Sequence, residues 1–269
     1  MAGLVPATHD LRGSARLFGG AGATCGEAEI LGPRDKPGDD DRHGAGKIAR
    51  DSPLKPPFII TVDGPAASGK GTIANRLGAL YGVPVLDSGL LYRAVGVLTA
   101  RAGKDLDSEQ DAGAVAMTLT AAMLDDPAFR TRQAGECASR VAVHSAVRLA
   151  LRELQLAFAR TPEGAVLDGR DMGTVICPEA PAKLYVTASP EVRAQRRWKQ
   201  LHGQGEAVEL ADILEDIRKR DERDGGRADS PMVAADDAVL LDTSEMTIEQ
   251  ATDAARRTVE AARARWETS

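Results

Sequence analysis

Residues 64–72 have the sequence Gly64-Pro65-Ala66-Ala67-Ser68-Gly69-Lys70-Gly71-Thr72. An apolar run of strand length, residues 58–63, precedes them, and a stretch of helical character, residues 73–80, follows. Glycines let backbone N–H groups turn toward a ligand without Cβ clashes, and a helix N-terminus adds partial positive charge. Lys70 adds a full charge for the outer phosphates. The stretch predicts a loop that binds the phosphates of a nucleoside triphosphate; a glycine-rich turn with a surface lysine is the alternative.

One position departs from the usual pattern of such loops. A Ser or Thr normally follows the lysine directly and reaches Mg²⁺ through its hydroxyl. Here Gly71 occupies that position and Thr72 comes next. We therefore expect Mg²⁺ to accompany the triphosphate, with the displaced hydroxyl of Thr72 as a candidate ligand.

Composition limits the classes of function. The 269 residues suffice for one large domain or two small ones, and 43% are hydrophobic, enough for a core. The pI near 5.4 argues against general binding to nucleic acid or anionic membranes. No apolar run approaches the roughly 20 residues that span a bilayer. The three cysteines are far apart in the sequence, which favours reduced thiols. The four histidines are scattered, which argues against a zinc site. We expect a cytoplasmic monomer without nucleic-acid or membrane partners.

Residues 1–55 differ from the rest of the chain. Gly and Pro are frequent there, an acidic run lies at Asp39-Asp40-Asp41, and no periodicity persists. Such a composition cannot bury enough apolar area to offset chain entropy, so we predict disorder. The absence of a sustained apolar segment argues against a signal peptide. A transit peptide and a wrongly assigned start codon are open alternatives.

From residue 56 onward, predicted strands and helices alternate. Short apolar runs such as Ala165-Val166-Leu167 are typical of strands buried on both faces. Ser189-Pro190 and the pair Thr247 and Gln250 are helix start signals. The pattern predicts an α/β fold with a five-stranded parallel sheet flanked by helices. The predicted strands are 58–63, 84–86, 165–168, 183–187 and 238–242, and the predicted helices are 70–81, 89–102, 108–123, 136–160, 190–201, 207–222 and 247–266.

Two polar clusters follow predicted strands. In the first, residues 86–93, Ser88 is a candidate helix cap, and Arg93 lies one turn into the helix, where it can point back toward a phosphate. In the second, residues 166–174, Asp168 ends a buried strand and is placed to hold the shell of Mg²⁺. Arg170 offers a planar donor pair for phosphate, and Asp171 can accept from an exocyclic amine. A structural Arg170–Asp171 salt bridge in a turn is the alternative for this second cluster.

A third cluster, residues 218–227, is rich in arginine. By itself it is typical of a solvated helix with opposite-charge pairs. However, Arg220, Arg223 and Arg227 have helical spacing on one face, and Gly225-Gly226 can loosen the helix end. Arginines on a mobile segment can close over a triphosphate and neutralise the transferring group. The upstream arginines Arg193, Arg196 and Arg197 are candidates for the same lid.

These clusters, in this order, resemble the bacterial cytidylate kinases, which are P-loop nucleoside-monophosphate kinases. The matching stretches are the loop at 64–72, LDSGLLYR (86–93), CASRVAVHSAVR (137–148), LDGRDMGTV (167–175), KRDERDGGRA (219–228) and ADDAVLLDT (235–243). GRDMGT and RDERD are the most specific of these motifs. The resemblance covers residues 58 to about 265 and implies transfer of the ATP γ-phosphate to CMP or dCMP.

The resemblance also implies roles for individual residues. ATP phosphates lie in the loop Gly64, Pro65, Ala66, Ala67, Ser68, Gly69, Lys70, Gly71 and Thr72. CMP contacts Ser88, Arg93, Ser139, Arg148, Arg170, Asp171, Arg220, Asp224 and Arg227. Lys70, Arg170, Arg220 and Arg227 act in catalysis, and Asp168 organises Mg²⁺ through water.

The implied domain organisation is a kinase domain over residues 56–269, with a monophosphate-binding insert at about 94–160 and a lid at about 190–228. The insert is shorter than is common in the family, and its sequence predicts helices. A kinase for another small acceptor, a nucleotide-binding switch without catalysis and a nucleic-acid-binding protein are the alternatives. The acidic overall charge and the interleaved aspartates of residues 218–227 argue against the last one.

Overall fold

Five strands form one parallel sheet in residues 56–269, the part of the chain that the computed structural model describes. In spatial order the sheet is β2-β3-β1-β4-β5, and every neighbouring pair is parallel. The prediction of a five-stranded parallel sheet is confirmed. The predicted disorder of residues 1–55 lies outside the described residues. The strands are β1 (Ile59–Asp63), β2 (Val85–Asp87), β3 (Ala165–Gly169), β4 (Ala182–Thr187) and β5 (Val239–Asp242).

Helices fill the connections between these strands. Short 3₁₀ segments occur at Ala121–Met123 and Pro127–Arg130, and a π-helical turn spans Met172–Ile176. Between Asp87 and Ala165 the structure has helices and no strand, as we predict for the insert. The α-helices are α1 (Lys70–Tyr81), α2 (Ser88–Arg101), α3 (Glu109–Ala116), α4 (Arg132–Val141), α5 (Ser145–Ala159), α6 (Pro190–Gly203), α7 (Leu210–Gly225) and α8 (Ile248–Thr268).

Local capping explains where several helices begin. The Ser189 hydroxyl accepts from the N–H of Val192, and Thr247 forms a reciprocal capping box with Gln250, as predicted. The prediction that Ser88 caps α2 is wrong. Asp87 is the cap, and its carboxylate accepts from the N–H of Leu90. Ser88 is the first helical residue, so its hydroxyl is free for another bond.

Two of the predicted helices are wrong in extent. The single helix predicted over 136–160 is α4 and α5, separated at Ala142–His144, and α5 begins after His144. The break lets both helices contribute to one core, in which Val141, Val147 and Leu151 are fully buried. The helix predicted over 108–123 ends at Ala116, and only Ala121–Met123 returns to a 3₁₀ turn.

The sheet brings three strand ends to one edge. β1 lies at the centre, between β3 and β4, and residues 64–72 follow it. Asp63 at the end of β1 is in register with Gly169, and Asp87 at the end of β2 is in register with Asp168. Ligands of open parallel sheets bind at this carboxyl edge. The fold therefore places the glycine-rich loop and the two strand-end clusters side by side.

Candidate active site

The glycine-rich loop has a tightly constrained backbone. Gly64 has φ 142° and Gly69 has φ 92°, both in the range that glycine tolerates, and Ala67 has φ 60°. A Cβ on Gly64 would lie 2.0 Å from the carbonyl oxygen of Val186 in β4. Gly69 precedes α1, and within residues 56–269 no side chain caps that helix. The first-turn N–H groups of α1 therefore face the loop without intrahelical acceptors, as an anion site requires.

Lys70 lies beside the acid at the end of β3. Its Nζ is 3.4 Å from Oδ1 of Asp168, and both side chains are nearly buried. Burial lowers the pKa of Lys70, and nearby Arg170 lowers it further. Burial raises the pKa of Asp168, and the positive charge of Lys70 offsets part of that rise. Two buried opposite charges thus adjoin the loop.

The same carboxylate explains why the loop has glycine after its lysine. A Cβ on Gly71 would lie 3.0 Å from Oδ2 of Asp168. That approach is tighter than ordinary van der Waals contact, so a Ser or Thr there would crowd the carboxylate. The absence of a hydroxyl at residue 71 leaves room for Asp168 to come close to the loop.

Asp87 is a site residue that the sequence reasoning missed. Oδ2 of Asp87 accepts from Nη2 of Arg93 at 2.6 Å. Burial raises the pKa of Asp87, but Arg93 and Lys70 outweigh burial and hold that pKa below its usual value. The hydroxyl of neighbouring Ser88 donates to the backbone carbonyl of Asp168 at 2.8 Å, which ties the start of α2 to β3.

Arg170 and Asp171 have different partners, so the alternative of a salt bridge between them is wrong. The guanidinium of Arg148 on α5 pairs with Asp171, and their side chains are only 8% and 4% exposed. Nε of Arg170 donates to Oδ2 of Asp224 at 3.2 Å. Adjacent residues of this turn therefore connect to α5 and to α7, respectively.

Asp224 gathers the arginines at the end of α7. It pairs with Arg170 and Arg227, and Nε of Arg220 lies 3.8 Å from its Oδ2. Burial, reinforced by repulsion from Arg170, lowers the pKa of Arg220 to about 10. Arg223 points elsewhere and donates to the hydroxyl of Ser139 on α4 at 2.5 Å. The solvated-helix alternative holds only for the outer face, where Lys219 pairs with Glu215.

Two cavities adjoin at this cluster. A small one, of about 40 Å³, is lined by nearly all the residues predicted to bind the acceptor: Ser88, Ser139, Arg148, Arg170, Asp171, Arg220, Asp224 and Arg227. A larger cleft, of about 430 Å³, runs from the loop to α6, α7 and the start of α4. Lys70 and Arg93 line this cleft, and Arg170 and Arg220 line both spaces. The sequence-predicted residues thus converge, with Arg93 on the cleft side.

The arginines predicted to line a lid divide into two groups. Arg193 binds Asp221 with both terminal nitrogens, at 3.0 and 2.6 Å, and so joins α6 to α7. Arg196 donates to the carbonyl oxygens of Ser68 and Thr243 and thereby braces the loop. Arg197 faces the cleft. Of these three arginines, Arg197 can therefore take the predicted role toward a ligand in the cleft, since among the described residues it bonds only the neutral side chain of Gln200.

Three further site residues carried little or no signal in the sequence. Asp63 is buried and accepts from the N–H groups of Met172 and Gly173, both at 2.8 Å. Arg130 and Arg132, near the start of α4, line the large cleft. The strand-end position of Asp63 is a weak signal, but its partners are more than 100 residues away. No motif marks the other two.

Residues 56–269 contain neither a ready-made metal cluster nor a membrane-spanning helix. In this part of the chain, no three or more His, Cys, Asp or Glu side chains form a group that could hold a metal ion by themselves. Its helices are likewise too short or too polar to cross a bilayer. Any divalent ion at Asp168 would therefore share its ligands with a bound phosphate or water.

Comparison with known proteins agrees with this geometry. The family model described as cytidylate kinase matches residues 60–261. A cytidylate kinase of Caulobacter sp. (strain K31) is 68% identical over 209 residues, which cover 78% of this chain and 97% of that protein. The cytidylate kinase of Xanthobacter autotrophicus is 60% identical over 207 residues, 77% of this chain and 99% of that protein. The cytidylate kinase of Brucella suis biovar 1 is 52% identical over 204 residues, 76% and 93% of the two chains. The chain belongs to the cytidylate kinase family.

Proposed function

We propose that this chain transfers the γ-phosphate of ATP to the 5′-phosphate of CMP or dCMP, giving ADP and CDP or dCDP. The observation that carries the proposal is the small cavity where Arg148, Asp171 and Asp224 meet, directly beside the cleft that contains Lys70. The Arg148–Asp171 pair, which is proposed to recognise the base, thus lies next to the loop proposed to bind phosphate. Family membership supports the same reaction.

Arg148 and Asp171 match the edge of cytosine. Cytosine presents an exocyclic amine, which a carboxylate accepts, and a carbonyl with a ring nitrogen, which a guanidinium satisfies. Uracil has a carbonyl in place of the amine and would set an acceptor against Asp171. In this structure the two side chains pair with one another. CMP must therefore exchange that pairing for its own contacts, and the cavity must open to admit the base.

Acceptor phosphate and sugar would lie between the base cavity and the loop. Arg93, Arg170 and Arg220 converge there and supply planar donors for the phosphate. Asp224, with Arg227 beside it, offers a carboxylate to the sugar hydroxyls. The phosphate would take the place of Asp224 as the partner of Arg170 and Arg220. Binding would thus exchange one set of ion pairs for another.

ATP would lie on the other side of the loop. A second cavity of about 430 Å³ opens beside Gly69 and Thr72 and is bounded by Arg196, Thr243 and Ile248. Its position at the start of α1 suits a triphosphate whose outer groups reach Lys70. The donor and the acceptor then meet at Lys70, between the two cavities.

The residues around Asp168 fit Mg²⁺. Oδ1 of Asp168 is buried and makes no hydrogen bond among the described residues, and Nζ of Lys70 lies 3.4 Å from it. Thr72, two residues after Lys70, is exposed. Mg²⁺ prefers oxygen ligands. It usually takes only one or two of them from the protein when phosphates and waters complete its coordination shell. Asp168 would hold the ion through water, with Thr72 as a further ligand. When bound, the ion neutralises charge on the donor phosphates.

No general base is needed, because the attacking phosphate oxygen of CMP is already anionic at neutral pH. Catalysis then consists of positioning and charge stabilisation. Lys70, Arg170, Arg220 and Arg227 supply the charge. Movement of α6 and α7 over the cleft would exclude water and suppress hydrolysis of ATP.

A coupled assay of ADP release tests the proposal. The protein would be given ATP and Mg²⁺ with CMP, dCMP, UMP, AMP or shikimate, and without any acceptor. We expect ADP release with CMP or dCMP to exceed that with every other acceptor. Release without dependence on any acceptor, or slow turnover with a long-lived bound nucleotide, would favour the switch. Preference for UMP, AMP or shikimate would favour a different kinase.

A further inference from the structure

The cleft beside Lys70 has a strong excess of positive charge. Seven cationic side chains line it, against two carboxylates: Lys70, Arg93, Arg130, Arg132, Arg170, Arg197 and Arg220 face Glu136 and Asp216. Like charges so close together repel one another, so the arrangement lowers stability unless an anion occupies the cleft. Such a cleft is suited to a highly charged anionic ligand.

Most of these cations have an acceptor within the protein. Lys70 lies beside Asp168, Arg93 pairs with Asp87, and Arg132 pairs with Asp216. Arg170 and Arg220 share Asp224, and Arg197 donates to the side chain of Gln200. Arg130 differs, because no acceptor for its guanidinium occurs among residues 56–269. It is the cation of the cleft that is available without breaking an existing pair.

The backbone that carries Arg130 is firmly anchored. Phe129, its neighbour, is 1% exposed and lies in the core of α2, α4 and α5. Asp126 caps the 3₁₀ turn by accepting from the N–H of Ala128 at 2.8 Å, and Arg101 holds Asp126 from α2. Thr131 then caps α4. The anchored backbone therefore keeps the exposed side chain of Arg130 at the edge of the cleft, where it can reach a bound anion.

We propose that Arg130 is a further phosphate-binding residue, which contacts the 5′-phosphate of the acceptor nucleotide. The inference rests on the proposed function. Arg130 ends the 3₁₀ turn before α4 and lines the same cleft as Arg93, Arg170 and Arg220, the arginines assigned to the acceptor phosphate, and it does not line the donor cavity. Its partner is therefore the acceptor phosphate and not the triphosphate. A charge-assisted contact of this kind contributes about 1.5–3 kcal/mol, or about 10- to 150-fold in affinity.

The test measures binding of CMP and of cytidine, which lacks the phosphate, to the full chain without ATP. The variants are Arg130→Gln and Arg130→Lys, and Arg152→Gln is the control because it removes an exposed arginine of α5 outside the cleft. We expect Arg130→Gln to raise the Kd for CMP at least about tenfold and to leave the Kd for cytidine within twofold of the wild type. Arg130→Lys should recover part of the loss, and Arg152→Gln should behave as wild type.

Steady-state kinetics give the second readout. Arg130→Gln should raise the KM for CMP and leave the KM for ATP within about twofold. Unchanged CMP binding, an equal loss of CMP and cytidine, or a rise confined to the KM for ATP would each overturn the role of Arg130. If the wild-type chain neither binds CMP nor releases ADP in its presence, the proposed function fails, and this inference fails with it. Wild-type activity with unchanged Arg130→Gln refutes only the inference.

Discussion

The carboxylate of Asp63 accepts a hydrogen bond from the backbone N–H of Met172 at 2.8 Å, and its other oxygen accepts from Gly173. Asp63 is the residue directly before the glycine-rich loop, and Met172 follows Asp171. One buried side chain therefore fixes the loop proposed for the donor relative to the residue proposed to read the acceptor base. These two hydrogen bonds hold the donor side and the acceptor side of the site in one fixed arrangement.

Asp63 should make stability depend on pH. Burial raises its pKa to about 7 from 3.8, although the two backbone hydrogen bonds oppose that shift. The native state therefore retains a proton that the unfolded chain releases, and the free energy of unfolding falls as pH rises from about 4 to about 7. Between pH 5 and pH 8, we expect this residue to contribute a fall of roughly 2–3 kcal/mol, at about 1.4 kcal/mol per pKa unit.

Urea unfolding of wild type and Asp63→Asn at both pH values checks this expectation. Asparagine does not titrate, so the variant should lose less stability on going to pH 8. Asp125→Asn, at an exposed aspartate, serves as the control and should follow the wild type. Parallel pH profiles of wild type and Asp63→Asn would show that Asp63 is ionised throughout the range.

Asp171→Asn should narrow the preference for CMP over UMP. An amide can donate to the uracil carbonyl that a carboxylate repels, so the penalty against UMP disappears. We expect the ratio of kcat/KM for the two nucleotides to fall at least about tenfold. Steady-state rates with both acceptors give the ratio, again with Asp125→Asn as control. An unchanged ratio would remove Asp171 from base reading.

The buried Arg148–Asp171 pair should show strong coupling in stability. Arg148→Met leaves the carboxylate buried and unpaired, and we expect a loss of about 3–5 kcal/mol. Replacing both residues, with Arg148→Met and Asp171→Leu together, should cost less than the single change, because no buried charge remains. Denaturant unfolding of wild type, both single variants and the double variant gives the four free energies of unfolding of a double-mutant cycle. Additive losses would mean that the pair contributes no interaction energy.

Two glycines should respond in opposite ways to replacement by alanine. A Cβ at Gly64 meets the carbonyl of Val186 at 2.0 Å, where φ is 142°. Since that carbonyl is part of β4, Gly64→Ala should lose at least about 2 kcal/mol of stability together with ATP binding. At Gly203, the last residue of α6, no atom of the described residues outside the adjacent helix backbone lies within 4 Å of the added Cβ, so Gly203→Ala should gain about 0.4–1 kcal/mol. Thermal unfolding and titration with ATP measure both, and equal effects would contradict the steric argument.

Sequence reasoning succeeded where the signal is local. The parallel strands are short apolar runs, and the capping box at Thr247 and Gln250 is read within four residues. It failed where distant contacts decide. The residues of 136–160 favour helix throughout, and only packing of Val141 and Val147 into one core requires the break. Arg170 and Asp171 adjoin in sequence, yet their partners are Asp224 and Arg148.

The sequence alone determined the loop at 64–72, the alternation of strands and helices, and the family, because each depends on residue types at short, fixed spacing. The tertiary structure decided which charges meet. Asp63 reaches Met172, Asp168 takes the space that Gly71 leaves, and Arg130 remains without an acceptor in the described chain. Ion pairs and buried hydrogen bonds depend on distances between atoms far apart in the chain, and only folding sets those distances.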